Sequence, residues 1–74
     1  MRIEPLYREI GLRIAHARGR AGTTQQHLAN AVGLTRTSVA NIEAGRQRVM
    51  VHQLVAMASA LGVRVCNIIP GSAE

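Results

Sequence analysis

The stretch from Thr24 to Gly45, TQQHLANAVGLTRTSVANIEAG, constrains this chain more than any other part of it. It holds two short amphipathic segments of helical spacing, separated by a turn at Gly33, and the polar residues of the second gather on one face. Thr23 or Thr24 can cap the first segment, since either hydroxyl can accept from the free N–H groups of the first turn. Thr23 with Gln26 would make a capping box, whereas Thr24 would face His27, so the register is open by one residue. Leu28, Ala29 and Val32 form the inward side, and Gly33 can take the left-handed conformation that ends a helix and turns the chain. The next helix starts from a Thr35 cap and ends before Gly45. Two helices joined by so tight a turn have the form of a helix-turn-helix, a device whose second helix can lie in the major groove of DNA.

The rest of the chain supplies helices to support this pair. A first helix is expected from about Leu6 to Ala21, with Ile10, Ile14 and Ala17 along its core stripe. Gly11 and Gly19 weaken it, each by roughly 1 kcal/mol relative to alanine in an exposed helix interior, so packing must supply the difference. A fourth helix from about Met50 to Leu61 sets Val51, Leu54, Val55, Ala58 and Leu61 on one stripe and stops at Gly62. A short fifth segment, Val65 to Ile69, is halted by Pro70 and Gly71. The expectation is an all-α fold of five short helices without a strand, one domain over residues 1–74 with its core at about 6–69 and a tail at 70–74.

At 74 residues the chain is near the lower limit at which one apolar core holds a fold unaided. The lone Cys66 cannot form an intramolecular disulfide, and His16, His27 and His52 lie too far apart in sequence to suggest a zinc site. Any added staple would therefore be another subunit, and no metal is expected.

The amino terminus, MRIEPLYREIGLR, mixes charges and a proline where a secretion signal would need an unbroken apolar run, so a cytoplasmic location is expected. The uncharged stretch from Val49 to Val63 is too short and too polar to span a bilayer, and no membrane association is expected.

Net charge is +5, from nine basic residues, all arginine, against four acidic ones. From Ile10 to Ala73 the single acid is Glu43, while Arg13, Arg18, Arg20, Arg36, Arg46, Arg48 and Arg64 fall in the same span. Almost nothing there would repel phosphate, which favours a polyanionic partner. Tyr7 is the only aromatic residue, and single strands are usually gripped by stacking bases on rings, so a duplex fits better.

At about 100° per residue, Arg36, Thr37, Ala40 and Asn41 occupy one arc of the second segment, and Ser38, Val39, Ile42 and Glu43 the opposite one. Arginine can bond bidentately to guanine, asparagine to adenine, and a threonine methyl can pack on thymine, so Arg36, Thr37 and Asn41 are the expected base readers. Thr24 and Gln25 stand where a helix amino terminus exposes N–H groups, a natural seat for phosphate. Arg46 and Arg48, just past the second segment, are placed to hold the neighbouring backbone.

The run Thr24, Gln25, Leu28, Ala29, Gly33, Val39, Ile42, Glu43 and Gly45 resembles the phage-repressor and Cro-like helix-turn-helix family, also called XRE-type, and Leu54, Met57, Ala58, Leu61, Gly62 and Val63 continue the likeness. It covers roughly Ile10 to Ile69 and implies a compact five-helix, lambda-repressor-like DNA-binding domain. The resemblance implies that Gln25 contacts phosphate and buttresses the recognition helix, that Thr35, Arg36, Thr37 and Asn41 touch bases or backbone, and that Glu43 pairs with Arg18. The chain departs from the family at Ala17 and Thr23, where larger apolar residues are usual, and at Val49 and Met50, which replace a proline and a capping serine. A thinner core and a less defined fourth helix start are the expected results.

No nucleophile stands beside a base, no acids are paired, and no glycine-rich cradle precedes a P-loop lysine, so neither an enzyme, a cofactor nor a small-molecule ligand is expected. Val65, Ile68 and Ile69 offer more apolar surface than one short segment can turn inward, which points to a two-fold dimer through the last two helices. Two recognition helices would then meet successive major grooves of a palindromic operator. The expected function is a dimeric transcriptional repressor, or the controller of a restriction-modification operon. The alternative is an antitoxin-type module that sequesters a protein and binds DNA secondarily.

Overall fold

The computed structural model describes residues 3–71. Met1 and Arg2 of the amino-terminal stretch and residues 72–74 of the expected tail lie outside them. Four α-helices and one 3-10 turn follow in order among the described residues: α1 (Ile3–Ala21), α2 (Gln25–Val32), α3 (Arg36–Glu43), α4 (Val51–Leu61) and η1 (Val65–Asn67).

Local chemistry sets most boundaries. Helix α1 begins three residues before the expected Leu6, and Pro5 falls in its first turn, where a missing N–H leaves no intrahelical bond unmade. Thr24, rather than Thr23, caps α2: its hydroxyl accepts from His27 N–H at 3.0 Å. Thr23 has another task, since its carbonyl accepts from Arg18. Gly33 then takes φ 74 and ψ 29, and Leu34 N–H turns back onto the Ala29 carbonyl at 2.9 Å. Thr35 caps α3 through Ser38 N–H at 3.0 Å.

Helix α4 starts without a side-chain oxygen at its cap. Met50 has none to offer, and only the reciprocal half of a capping box forms, Gln53 Oε1 accepting from Met50 N–H at 2.9 Å.

The core is drawn from every element. Ile10 and Ile14 of α1, Leu28 and Ala29 of α2, Val39 and Ile42 of α3, and Leu54, Met57, Ala58 and Leu61 of α4 are buried together with Val49 and Ile68. Helix α3 packs on α2 and α1, while α4 packs chiefly on α2 and less on α1 and η1. Helices of eight residues are marginal in isolation, so α2 and α3 exist because their inward faces are covered from these sides.

Gly11 is buried because α3 arrives there end-on. A Cβ at this position would overlap the Ile42 carbonyl oxygen and lie 2.7 Å from that of Glu43. The residue that weakens α1 locally is the one that lets α3 approach it.

Three expectations are corrected. The fifth segment is not an α-helix but the single 3-10 turn η1, because only a few residues separate Val63 from Pro70. The stripe of α4 is rotated: Met57 is fully buried, while Val51 and Val55 are 76% and 52% exposed. Ile68, expected on a dimer surface, is fully buried in the core of its own chain, whereas Val65 and Ile69 are half-buried against that core. No helix among the described residues is long and apolar enough to cross a membrane.

Candidate nucleic-acid interface

Where α2 starts and α3 begins, four polar side chains form one chain of contacts. Arg18 grips the Glu43 carboxylate in a fork, Nε to Oε2 at 2.8 Å and Nη2 to Oε1 at 3.2 Å, and its Nη1 donates to the Thr23 carbonyl at 3.0 Å. The Glu43 side chain is only 7% exposed and that of Arg18 22%. The hydrogen bond to Glu43 raises the Arg18 pKa above its ordinary value, partly opposed by burial and reinforced by the charge of Glu43.

Glu43 also orders Gln25. Its Oε1 accepts from Gln25 Nε2 at 2.9 Å, and because an ionised carboxylate can only accept, the amide must present its nitrogen inward and its oxygen outward. That outward oxygen accepts from Arg36 Nη1 at 3.3 Å. The exposed guanidinium at the first position of α3 is thus tethered through Gln25 to the buried pair. Beside it opens a shallow depression of about 430 Å³ lined by Arg18, Thr24, Gln25 and Arg36 at the N-terminus of α2, where Arg36 is the accessible positive charge, Arg18 being taken up by Glu43 and Thr23.

The outward face of α3 carries Arg36 and Thr37, both exposed, and Asn41, half-buried. Ala40 between them has no side chain that would hold another backbone away. At the far end, the Asn41 carbonyl accepts from Arg46 N–H at 2.9 Å and Gln47 N–H at 3.2 Å, which closes the loop after α3. The Arg46 side chain makes a long 3.5 Å contact from Nε to Asn41 Oδ1 and so lies on the same face. The Arg48 guanidinium sits 5.9 Å from the centroid of the Tyr7 ring, anchored against α1. Gly45, with φ 76, brings this loop within reach of α1; a Cβ there would lie 2.9 Å from Arg8 Cα.

The structure therefore brings together Arg18, Glu43, Gln25 and Arg36, and it sets Thr37, Asn41 and Arg46 along the same side of α3. Thr24 and Thr35 are both exposed and both occupied as helix caps, which leaves their backbone surroundings on the surface. Arg48 stands apart, on Tyr7. Sequence reading missed the role of Tyr7, noted only for the scarcity of rings, and the part of Gly11 and Gly45. For Gly11, a glycine inside a helical pattern was the available signal, since it can mark a close packing approach.

An all-helical domain with two capped eight-residue helices joined at a left-handed glycine defines a class, and the chain belongs to it: the helix-turn-helix domain family matches over residues 9–67. Among solved structures, it is similar to the restriction-modification controller protein C.AhdI from Aeromonas hydrophila, 27% identical, covering 85% of this chain and 96% of that one with a TM-score of 0.81. It is similar to the clp gene regulator ClgR from Corynebacterium glutamicum, 32% identical over 88% of this chain and 70% of that one, TM-score 0.82. The hypothetical transcription factor NHTF from Neisseria is 28% identical over 93% of this chain and 79% of that one, TM-score 0.82. By sequence, no protein of curated function matches the chain.

Proposed function

We propose that this chain is a cytoplasmic, dimeric transcriptional regulator that binds a roughly palindromic duplex operator in a sequence-specific way. The observation that carries the reading is the outward face of α3, where Arg36, Thr37 and Asn41 stand free of the core beside a +5 molecule's arginines. Arg36, Thr37 and Asn41 read base edges. Thr24, Gln25, Thr35, Arg46 and Arg48 hold the phosphate backbone, Arg46 from close beside Asn41 and Arg48 from its seat on Tyr7. Likeness to a restriction-modification controller and to a gene regulator supports the reading as a regulator. Occupying the operator blocks or recruits polymerase by position.

Selection of duplexes from a randomised library yields the operator, and titration on that operator and on random duplex tests the division of roles. Arg36→Ala should lose about 1 to 3 kcal/mol on the operator and relax choice at one base position. Arg48→Ala should weaken both duplexes alike and lower the slope of log affinity against log salt by about one. Equal losses for both variants on both duplexes would overturn the split, and no preferred sequence after selection would overturn the proposal.

A further inference from the structure

Three arginines converge on the end of α3 from two different parts of the chain. Gly45 turns the loop after α3 so closely onto α1 that a Cβ there would lie 2.9 Å from Arg8 Cα and 3.2 Å from Arg8 Cβ. The same loop carries Arg46, whose Nε lies 3.5 Å from Asn41 Oδ1, and Arg48, whose guanidinium stands over the Tyr7 ring. Arg8, Arg46 and Arg48 are all exposed, and Tyr7 is half-buried against the core. At about 100° per residue, Tyr7, Arg8 and Gly11 share an arc of about 100° on α1. Gly11 fixes that arc as the one turned to α3, through the carbonyls of Ile42 and Glu43.

Arg8 differs from the other cations of its helix. Arg13 pairs with Glu9 and Arg18 with Glu43, whereas Arg8 makes no ion pair among the described residues. Arg20 stands nearly opposite the arc, in the groove beside Leu61 and Val63. Glu4, one turn before Arg8 on the same arc, is exposed and not paired with it, so one carboxylate faces three guanidiniums and the cluster stays cationic. The fold itself makes no use of the Arg8 charge, which is left for a polyanion.

We propose that the start of α1 belongs to the DNA-contacting surface: Arg8 holds the duplex backbone together with Arg46 and Arg48, and the Tyr7 ring keeps Arg48 in position. The inference rests on the DNA-binding reading above and adds two residues to it. Continuity with the recognition face places the ligand, because Arg46 touches Asn41 and the backbone flanking a base read by Asn41 runs next to this cluster. A ring face attracts the charge of a guanidinium without occupying its N–H donors, so Arg48 on Tyr7 is pre-oriented yet keeps its donors for phosphate oxygens. Tyr7 acts through Arg48 and is a positioning residue.

Titration of the full chain on the selected operator and on random duplex, repeated across salt, tests this. Arg8→Ala should weaken both duplexes alike, about eightfold at about 0.1 M salt, and lower the slope of log affinity against log salt by about one. Arg20→Ala removes the same charge from the other side of α1 and should leave the slope as it is. Tyr7→Leu should weaken both duplexes about two- to fivefold, as loss of an exposed cation–π contact does, while Tyr7→Phe should match wild type. In an Arg48→Ala background, Tyr7→Leu should change nothing further. Tyr7→Met replaces the leucine variant should circular dichroism show that the latter has lost its helicity. An Arg8→Ala slope equal to that of wild type would overturn the α1 contact. A Tyr7→Phe as weak as Tyr7→Leu, or equal losses from Tyr7→Leu with and without Arg48, would overturn the ring as its seat. A wild type that binds no duplex at low salt would overturn the DNA-binding reading itself, whereas altered base choice in Arg36→Ala beside a silent Arg8→Ala would overturn this inference alone.

Discussion

Glu43 shows how much one side chain can organise here. Its carboxylate accepts from Arg18 twice and from Gln25 once while being almost enclosed. Arg18→Ala would leave a buried charge with a single neutral donor, a change that typically costs about 3 to 5 kcal/mol. Small domains have only about 5 to 15 kcal/mol in total, so urea unfolding of Arg18→Ala should begin close to zero denaturant. The same difference between wild type and variant should appear at pH 7 and pH 10. Arg18 has its pKa raised in the folded state, so its contribution is complete below the ordinary arginine value and is lost only as pH climbs through the higher one. Two glycines of α1 make a sharper residue-scale contrast. Gly11→Ala would set a methyl into the carbonyls of Ile42 and Glu43, which are backbone and cannot step aside, so about 1 to 3 kcal/mol should be lost despite the better helix propensity. Gly19→Ala meets nothing within 4 Å and should gain up to about 1 kcal/mol, both read from thermal melts.

Among the elements, α2 and α3 begin under threonine caps and α4 does not. The first turn of α4 satisfies Met50 N–H through Gln53 but offers no oxygen to the N–H of Gln53 in return. Met50→Ser would complete the box at a position whose side chain is mostly in water, and should add about 0.5 to 1 kcal/mol. In a domain of this size that is a rise in Tm of roughly 2 to 8 °C. An unchanged or lower Tm would mean that the exposed thioether has a packing role. Ala17 has a visible counterpart too. It lines an open groove of about 800 Å³ between α1 and the end of α4, beside Leu12, Leu61 and Val63, where a larger side chain would have material to cover.

At the scale of the whole molecule, α1 braces α3 through Gly11 and the Arg18–Glu43 fork, while α2 lies between α3 and α4. The whole body measures only 31 × 23 × 20 Å in extent. The proposed dimer would carry two recognition helices into one face of a duplex. Hydroxyl-radical footprints on the selected operator should then show two protected half-sites about 10 to 10.5 base pairs apart, or a multiple of that. A single short footprint would contradict paired docking.

What was legible in the chain was whatever depends on neighbours three or four residues away. Threonine caps, the left-handed Gly33 and the inward Val39 and Ile42 follow from hydrogen bonds and side-chain directions within one turn, so the helix pair and its outward arc were readable from Thr24 to Gly45. The Arg18–Glu43 pairing came from family likeness, since no local rule joins residues 25 apart. Gln25 as the clamp between Glu43 and Arg36 needed the fold, as did the cause of Gly11. Helix α4 is the clearest case: apolar side chains on nearly all sides leave its rotation undetermined, and α2, α1 and η1 settled it by enclosing Met57 and releasing Val51 and Val55. Ile68 followed the same rule, because which apolar surface is buried depends on which neighbour arrives to exclude water from it.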